Sequence, residues 1–212
     1  MAHVPAAERR PQLVQAAIDL MAREGVDAGS TRAIAAELGV AQATVHYTFG
    51  TKRDLYRAVI EQLTAELVEL VRRAAPDGPH FEESLRLMAG ALWQGLRQQP
   101  GRYLLFIELT TYALRNPELH EVLRAHQSDL EQTAAKMISD VAERAERPLA
   151  APPVTLARFF LAGFDGLALR HLVIDDDASA TGLEHLVAAT LALAGEGRAA
   201  TGAVFSTPAP RA

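Results

Sequence analysis

Between Thr31 and Lys52 the chain reads TRAIAAELGVAQATVHYTFGTK. Gly39 separates two short segments with apolar residues at helical spacing, and Gly50 stops the second. Ser30 or Thr31 can cap the first segment, which is predicted to be helical as far as Leu38. The second is predicted to run from about Gln42 to Thr48. Ile34, Leu38, Val40 and Val45 are expected to fill a small shared core, with Phe49 also buried. Ala35 keeps the two helices close, and Gly39 supplies a turn in which positive φ is expected. Two short helices joined by a glycine turn form a helix-turn-helix.

The rest of the chain is predicted to be helical too. No window alternates cleanly between β-branched and polar residues, whereas apolar residues recur at three- and four-residue spacing. Before the motif, Leu13, Ala16, Ala17, Leu20 and Met21 form one stripe. That helix should begin near Ala6, with Pro11 in its first turn, and end at Gly25. After the motif, Thr51 caps a long helix whose Leu55, Val59, Leu63, Leu67 and Leu70/Val71 share a face. Further helices are predicted over about His80–Gln98, Tyr103–Arg115, Asn116–Arg147, Val154–Ile174 and Thr181–Ala194. Asp175-Asp176-Asp177 reads as a helix-ending loop. The expected class is all-α: an N-terminal three-helix domain holding the helix-turn-helix over residues 1–51, then a larger helical domain over 52–195. The tail 196–212, rich in Gly, Ala and Pro, is predicted to be disordered.

Charge sharpens the division. The 212 residues carry a net charge of −5, which alone argues against a nucleic-acid partner. Residues 1–57, however, hold seven Arg/Lys against six Asp/Glu, leaving +1, and the remainder holds fourteen against twenty, leaving −6. The case for DNA therefore rests on pattern. The second short helix presents Gln42, Ala43, Thr44, His46 and Tyr47 outward. Short and amide side chains there suit base edges and phosphates in a major groove. Arg32 and Lys52, with Arg9, Arg10 and Arg53 behind them, are candidate phosphate contacts. Lys52 opens a helix whose backbone N–H groups also favour an anion.

These residues resemble the TetR family of transcriptional regulators. The matching features are Ala16-Ala17-x-x-Leu20 with Gly25, the Thr31-Arg32-x-Ile34-Ala35 opening, the Gly39-Val40 turn, and Phe49-Gly50-Thr51-Lys52 before a long helix. The likeness spans about residues 8–60. His46 and Thr48 depart from the family's usual Tyr and His or Tyr, at positions that typically hold the phosphate backbone. The resemblance implies a cytoplasmic homodimer that binds double-stranded DNA at a palindromic operator. It also implies release when a small-molecule effector enters the C-terminal domain, typically as a repressor. The helix Lys52–Arg73 would be the lever between the two functions.

Within the C-terminal domain, Trp93, Tyr103, Phe106, Tyr112 and Phe164 are the candidate pocket residues, because ligand sites are largely apolar with few polar groups. The last two helices are the candidate dimer face. Ala162, Gly163, Gly166 and Ala168 permit close helix approach. Phe160, Gly163, Leu167, Leu183, Leu186, Val187 and Leu191 are the expected interface residues.

Other chemistries fit poorly. With no Cys, disulfides, thiolate zinc sites and a cysteine nucleophile are excluded. His120 and His126 lack the spacing that puts two ligands on one helix face. No metal, cofactor or catalytic group is expected. Val154–Ile174 carries Arg158, Asp165 and Arg170, which rules against a membrane span. The rival reading is a helical interaction protein with a vestigial helix-turn-helix and no specific DNA binding.

Overall fold

The computed structural model describes residues 6–174 and 178–195. The expected aspartate loop and the tail 196–212 lie outside them. Nine α-helices are found among the described residues: α1 Ala6–Glu24, α2 Thr31–Glu37, α3 Gln42–Phe49, α4 Lys52–Ala74, α5 Phe81–Gln98, α6 Pro100–Arg115, α7 Pro117–Arg144, α8 Pro153–Ile174 and α9 Ala178–Gly195. A short 3₁₀ turn, Val26–Ala28, links α1 to α2.

Local chemistry fixes most boundaries. Ser30 Oγ accepts the Ala33 N–H at 3.1 Å and caps α2, and Thr51 Oγ1 accepts the Asp54 N–H at 3.1 Å and caps α4. Gly39 and Gly50 have φ of +64° and +69°, so each turn needs a residue that tolerates the left-handed region. Pro100 and Pro117 open α6 and α7, where a missing N–H costs nothing. This starts α6 three residues before the expected Tyr103. Pro11 departs from expectation: it lies in the second turn of α1, one turn inside the helix rather than at its entrance. Helix α7 ends at Arg144, and Glu146 takes φ of +49° just beyond it.

The helices enclose two cores. The first joins Leu13, Ile18 and Met21 of α1, Ile34 of α2, Val45 of α3 and Leu55, Tyr56 and Val59 of α4, but also Leu105 and Leu109 of α6. The head therefore does not end at residue 51 in packing terms, because its interior is completed by α4 and α6. The second core joins α5, α7, α8 and α9 around Leu92, Trp93, Ile138, Leu156, Phe164 and Val187. Helix α4 belongs to both. Its stripe is fully buried from Leu55 to Leu63, and further along Leu67, Leu70 and Val71 line a cavity. Among the described residues no helix is long and apolar enough to cross a membrane.

Candidate nucleic-acid interface and cavity

Helix α3 is held from behind by Val45 and Phe49, both buried. At a period of 3.6 residues this turns Gln42, Ala43, His46 and Tyr47 outward, all exposed, with Thr44 half-buried beside them. Tyr47 is 93% exposed. A large aromatic ring left almost wholly in water by its own fold is available to an external surface. Arg32 on α2 is also exposed.

Thr31 was not among the expected site residues, yet it organises this face. Its Oγ1 accepts from Gln42 Nε2 at 3.1 Å and lies 3.3 Å from His46 Nε2. One hydroxyl on α2 thus orients two side chains on α3. The sequence shows Thr31 only as the first residue of a short helix. Arg10 lies over the Phe49 ring, its guanidinium carbon 5.8 Å from the centroid.

Lys52 has a second environment. Its ammonium lies 5.1 Å from the Tyr56 ring centroid and 5.2 Å from that of Tyr112, and the two rings meet edge to face at 5.3 Å. The nearby Tyr56 hydroxyl holds the ammonium's pKa above its ordinary value. Lys52 therefore links the start of α4 to α6. This also places Tyr112 away from the cavity: its position on α6 faces α4, so its expected pocket role is corrected to a contact between helices.

The cavity has a volume of about 370 Å³ and is walled by α4, α5, α6, α7, α8 and α9. Of the expected pocket residues Tyr103, Phe106 and Phe164 line it, and so does Phe160, which was expected at the dimer face. Trp93 does not. It is buried behind the wall, edge-on to Phe164 at 6.2 Å. Aromatic content alone cannot separate a lining ring from the ring that supports it.

Polar groups on the wall are few, and most are committed. Arg102 pairs with Glu66 of α4 and, at 3.1 Å, with Asp19 of α1. Tyr103 donates its hydroxyl proton to Asp165 Oδ1 at 2.7 Å. Desolvation by its neighbours raises the Asp165 carboxyl above the ordinary carboxylate range, although the residue keeps access to solvent. Burial and the neighbouring Asp165 raise the Tyr103 phenol, which keeps its proton. His126, behind Phe106, lies 3.2 Å from Thr64 Oγ1, and burial lowers its pKa.

Of the residues expected at the dimer face, Phe160, Gly163, Leu167 and Leu186 are half-buried and the other three are buried within the chain. Leu183, Val187 and Leu191 are buried in the second core. Leu186 packs onto Gly163, where an added Cβ would meet it at 2.4 Å, and Leu167 packs onto Gly182 at 2.5 Å by the same measure. Gly163 of α8 thus admits α9 of the same chain, whereas Ala162 and Gly166 face outward. Helical periodicity identifies the buried stripe but not which chain buries it. The outward face of α8 carries Phe159, Ala162, Gly166, Leu169 and Val173 instead, all exposed at helical spacing.

Comparison with known proteins agrees with this arrangement. Residues 13–59 match the profile of bacterial regulatory proteins of the tetR family, and residues 79–195 match the C-terminal domain of BetI-type transcriptional repressors. The nicotine-responsive transcriptional repressor HdnoR of Paenarthrobacter nicotinovorans is 29% identical over 170 residues, covering 80% of this chain and 87% of that protein. The transcriptional regulator BetI of Stenotrophomonas maltophilia is 26% identical, covering 76% and 80%. Among solved structures, the multidrug binding protein EbrR complexed with ethidium is 28% identical with a TM-score of 0.61, covering 85% of this chain and 97% of that one. A regulator from Rhodococcus sp. shares the fold at a TM-score of 0.76 and 18% identity, covering 89% and 100%.

Proposed function

The chain belongs to the TetR family of transcriptional regulators, and from that premise we propose a repressor that grips a palindromic operator as a homodimer and releases it when a small molecule fills the cavity. One short recognition helix reads only a few base pairs, so two copies at fixed separation supply the specificity. The outward face of α8 is the proposed partner surface. Gln42, Ala43, Thr44, His46 and Tyr47 are the proposed groove contacts. Arg32 and Lys52 are the proposed phosphate contacts.

The observation that carries the reading is the double allegiance of α6. Tyr103 and Phe106 line the cavity. On the same helix Arg102 pairs with Asp19 of α1, Glu108 accepts the Val26 N–H, and Leu105 and Leu109 complete the core of the head. A ligand that displaces α6 therefore acts directly on the element that orients α3. Such a ligand controls DNA only through different affinities for two arrangements of the head.

The test is selection of bound duplexes from a random DNA pool at near-physiological salt, with Tyr47→Ala in parallel. An enriched palindrome that the variant loses supports the regulator. Absence of enrichment returns the protein to the rival class of helical interaction partner.

A further inference from the structure

We propose that Gln42 reads an adenine in each half of the operator, and that Thr31 is the positioning residue that holds its amide in one orientation for this contact. The proposal deepens the regulator reading above and rests on α3 lying in the major groove.

Placement gives Gln42 access to a base. It is the first residue of α3, and Ala41 before it makes no capping bond through its side chain. The N-terminal residues of a recognition helix are the ones that reach base edges. Gln42 is exposed, and the exposed residue beside it, Ala43, carries only a methyl group. The amide therefore has room to approach a base pair directly.

The hydrogen bonds set the chemistry. A glutamine amide has two N–H donors and one carbonyl acceptor. One donor is committed to Thr31 Oγ1 at 3.1 Å. The end left for DNA presents one N–H beside one C=O. Adenine offers N7 as an acceptor beside N6–H as a donor in the major groove, which answers both groups at once. Guanine offers two acceptors, N7 and O6, and sets O6 against the carbonyl. Cytosine offers a single donor, and thymine an acceptor beside a methyl group, so each leaves one amide group unpaired.

Thr31 supplies the orientation. An untethered glutamine samples many rotamers and can turn its amide over, whereas the bond to Thr31 fixes which end is nitrogen and lowers the cost of ordering it on DNA. After accepting from Gln42 the hydroxyl keeps its own proton, and the neutral His46 ring can take it at Nε2, 3.3 Å away. Thr31 is thus held from both sides, by the first and the fifth residues of α3.

The test uses the full chain and duplexes selected from a random pool. Aligned half-sites should carry adenine at one fixed position. Gln42→Glu should move that position to cytosine, whose N4–H suits a carboxylate, and leave the others unchanged. Replacing the adenine with 7-deazaadenine, which keeps its base pairing but lacks N7, should weaken binding of the unaltered protein about tenfold. The same replacement should cost Thr31→Val much less, because its amide is no longer oriented. Thr31→Ser, which restores the hydroxyl, should recover the full effect. Thermal melts certify that each variant is folded.

An enriched palindrome in which no position responds to Gln42→Glu overturns the proposal and leaves the regulator reading standing, as does a responding position that held a base other than adenine. Full sensitivity of Thr31→Val to 7-deazaadenine overturns the role of Thr31. Absence of any enriched duplex fails the regulator reading itself, and the proposal with it.

Discussion

The backbone N–H of Val26 donates to Glu108 Oε2 at 3.0 Å, across 82 positions of sequence. Val26 begins the 3₁₀ turn between α1 and α2, where Gly25 has φ of +88°. Glu108 lies on α6, two residues beyond Phe106, so it projects from the side of the helix opposite the cavity wall. A single carboxylate therefore ties the entrance of the helix-turn-helix to the helix that would respond to a ligand. Glu108→Ala should cost about 1–3 kcal/mol of stability, the usual loss when a buried donor is left without its charged acceptor. Amide exchange at Val26 should accelerate well beyond that of the α1 interior. Unchanged protection at Val26 would mean that the contact does not hold the turn in solution.

The recognition face yields a graded prediction. Tyr47→Ala should weaken operator binding by about 1–3 kcal/mol with no change in fold, because the ring is exposed and supports nothing internal. Thr31→Val should act differently. It preserves volume but removes the hydroxyl that orients Gln42 and His46. Affinity for random DNA should hold while discrimination between operator and mismatched duplexes narrows. Competition binding against single-base mismatches checks this, and undiminished discrimination would remove Thr31 from the site.

Lys52 has two claims on one ammonium, and they predict opposite signs. Lys52→Ala should reduce affinity for all duplexes and flatten the salt dependence by about one unit. Tyr112→Leu should instead raise DNA affinity, by about two- to fivefold, because the side chain loses a ring that competes with phosphate. Salt titrations of the two variants separate these effects. A loss of affinity in Tyr112→Leu would indicate that the rings position Lys52 for DNA rather than withhold it.

The motif was legible because its demands are local. Gly39 and Gly50 answer to a backbone angle, Ser30 to unsatisfied N–H groups, and Val45 with Phe49 to one helix face, so the outward side of α3 followed. The seven residues expected between subunits show the limit. Apolar spacing in α8 and α9 marks a buried stripe, but the same spacing serves a core or an interface, and Gly163 and Leu186 meet within one chain. Trp93 and Tyr112 depart from expectation for a similar reason, because a ring on a cavity wall, a ring behind it and a ring between two helices are alike in sequence. Thr31, Glu108 and Asp165 depend on distant partners at 3.3 Å or less, and nothing in the neighbouring sequence marks them.

His126 should give the fold a dependence on pH. Burial lowers its folded pKa below the ordinary value of about 6.5. The neutral ring is thus favoured in the folded state, so the stability it supports is complete above that value. That stability declines as the unfolded chain takes up a proton, and it is lost as pH falls through the folded pKa. His126→Gln should flatten this part of the profile while keeping a polar group beside Thr64. Urea melts from neutral pH downward should show the wild-type midpoint falling more steeply than the variant's. Parallel profiles would show that another group controls the transition.

Gly101 sets the distance between α6 and α1. A Cβ built there meets the Ala22 carbonyl oxygen at 2.8 Å, and backbone cannot move aside as a flexible side chain can. Gly101→Ala must therefore shift the start of α6 away from α1, at a cost of about 1–3 kcal/mol. Arg102 follows directly, so its pairing with Asp19 should loosen while that with Glu66, on the other side, can persist. The expected result is a folded protein whose head is less firmly coupled to its cavity. It should bind DNA more weakly without ligand, and Asp19→Asn should add little further loss, because the two changes break the same contact. A double-mutant cycle on operator affinity measures that coupling. Additive losses would place Gly101 and Asp19 on separate routes and remove Arg102 as the link between them.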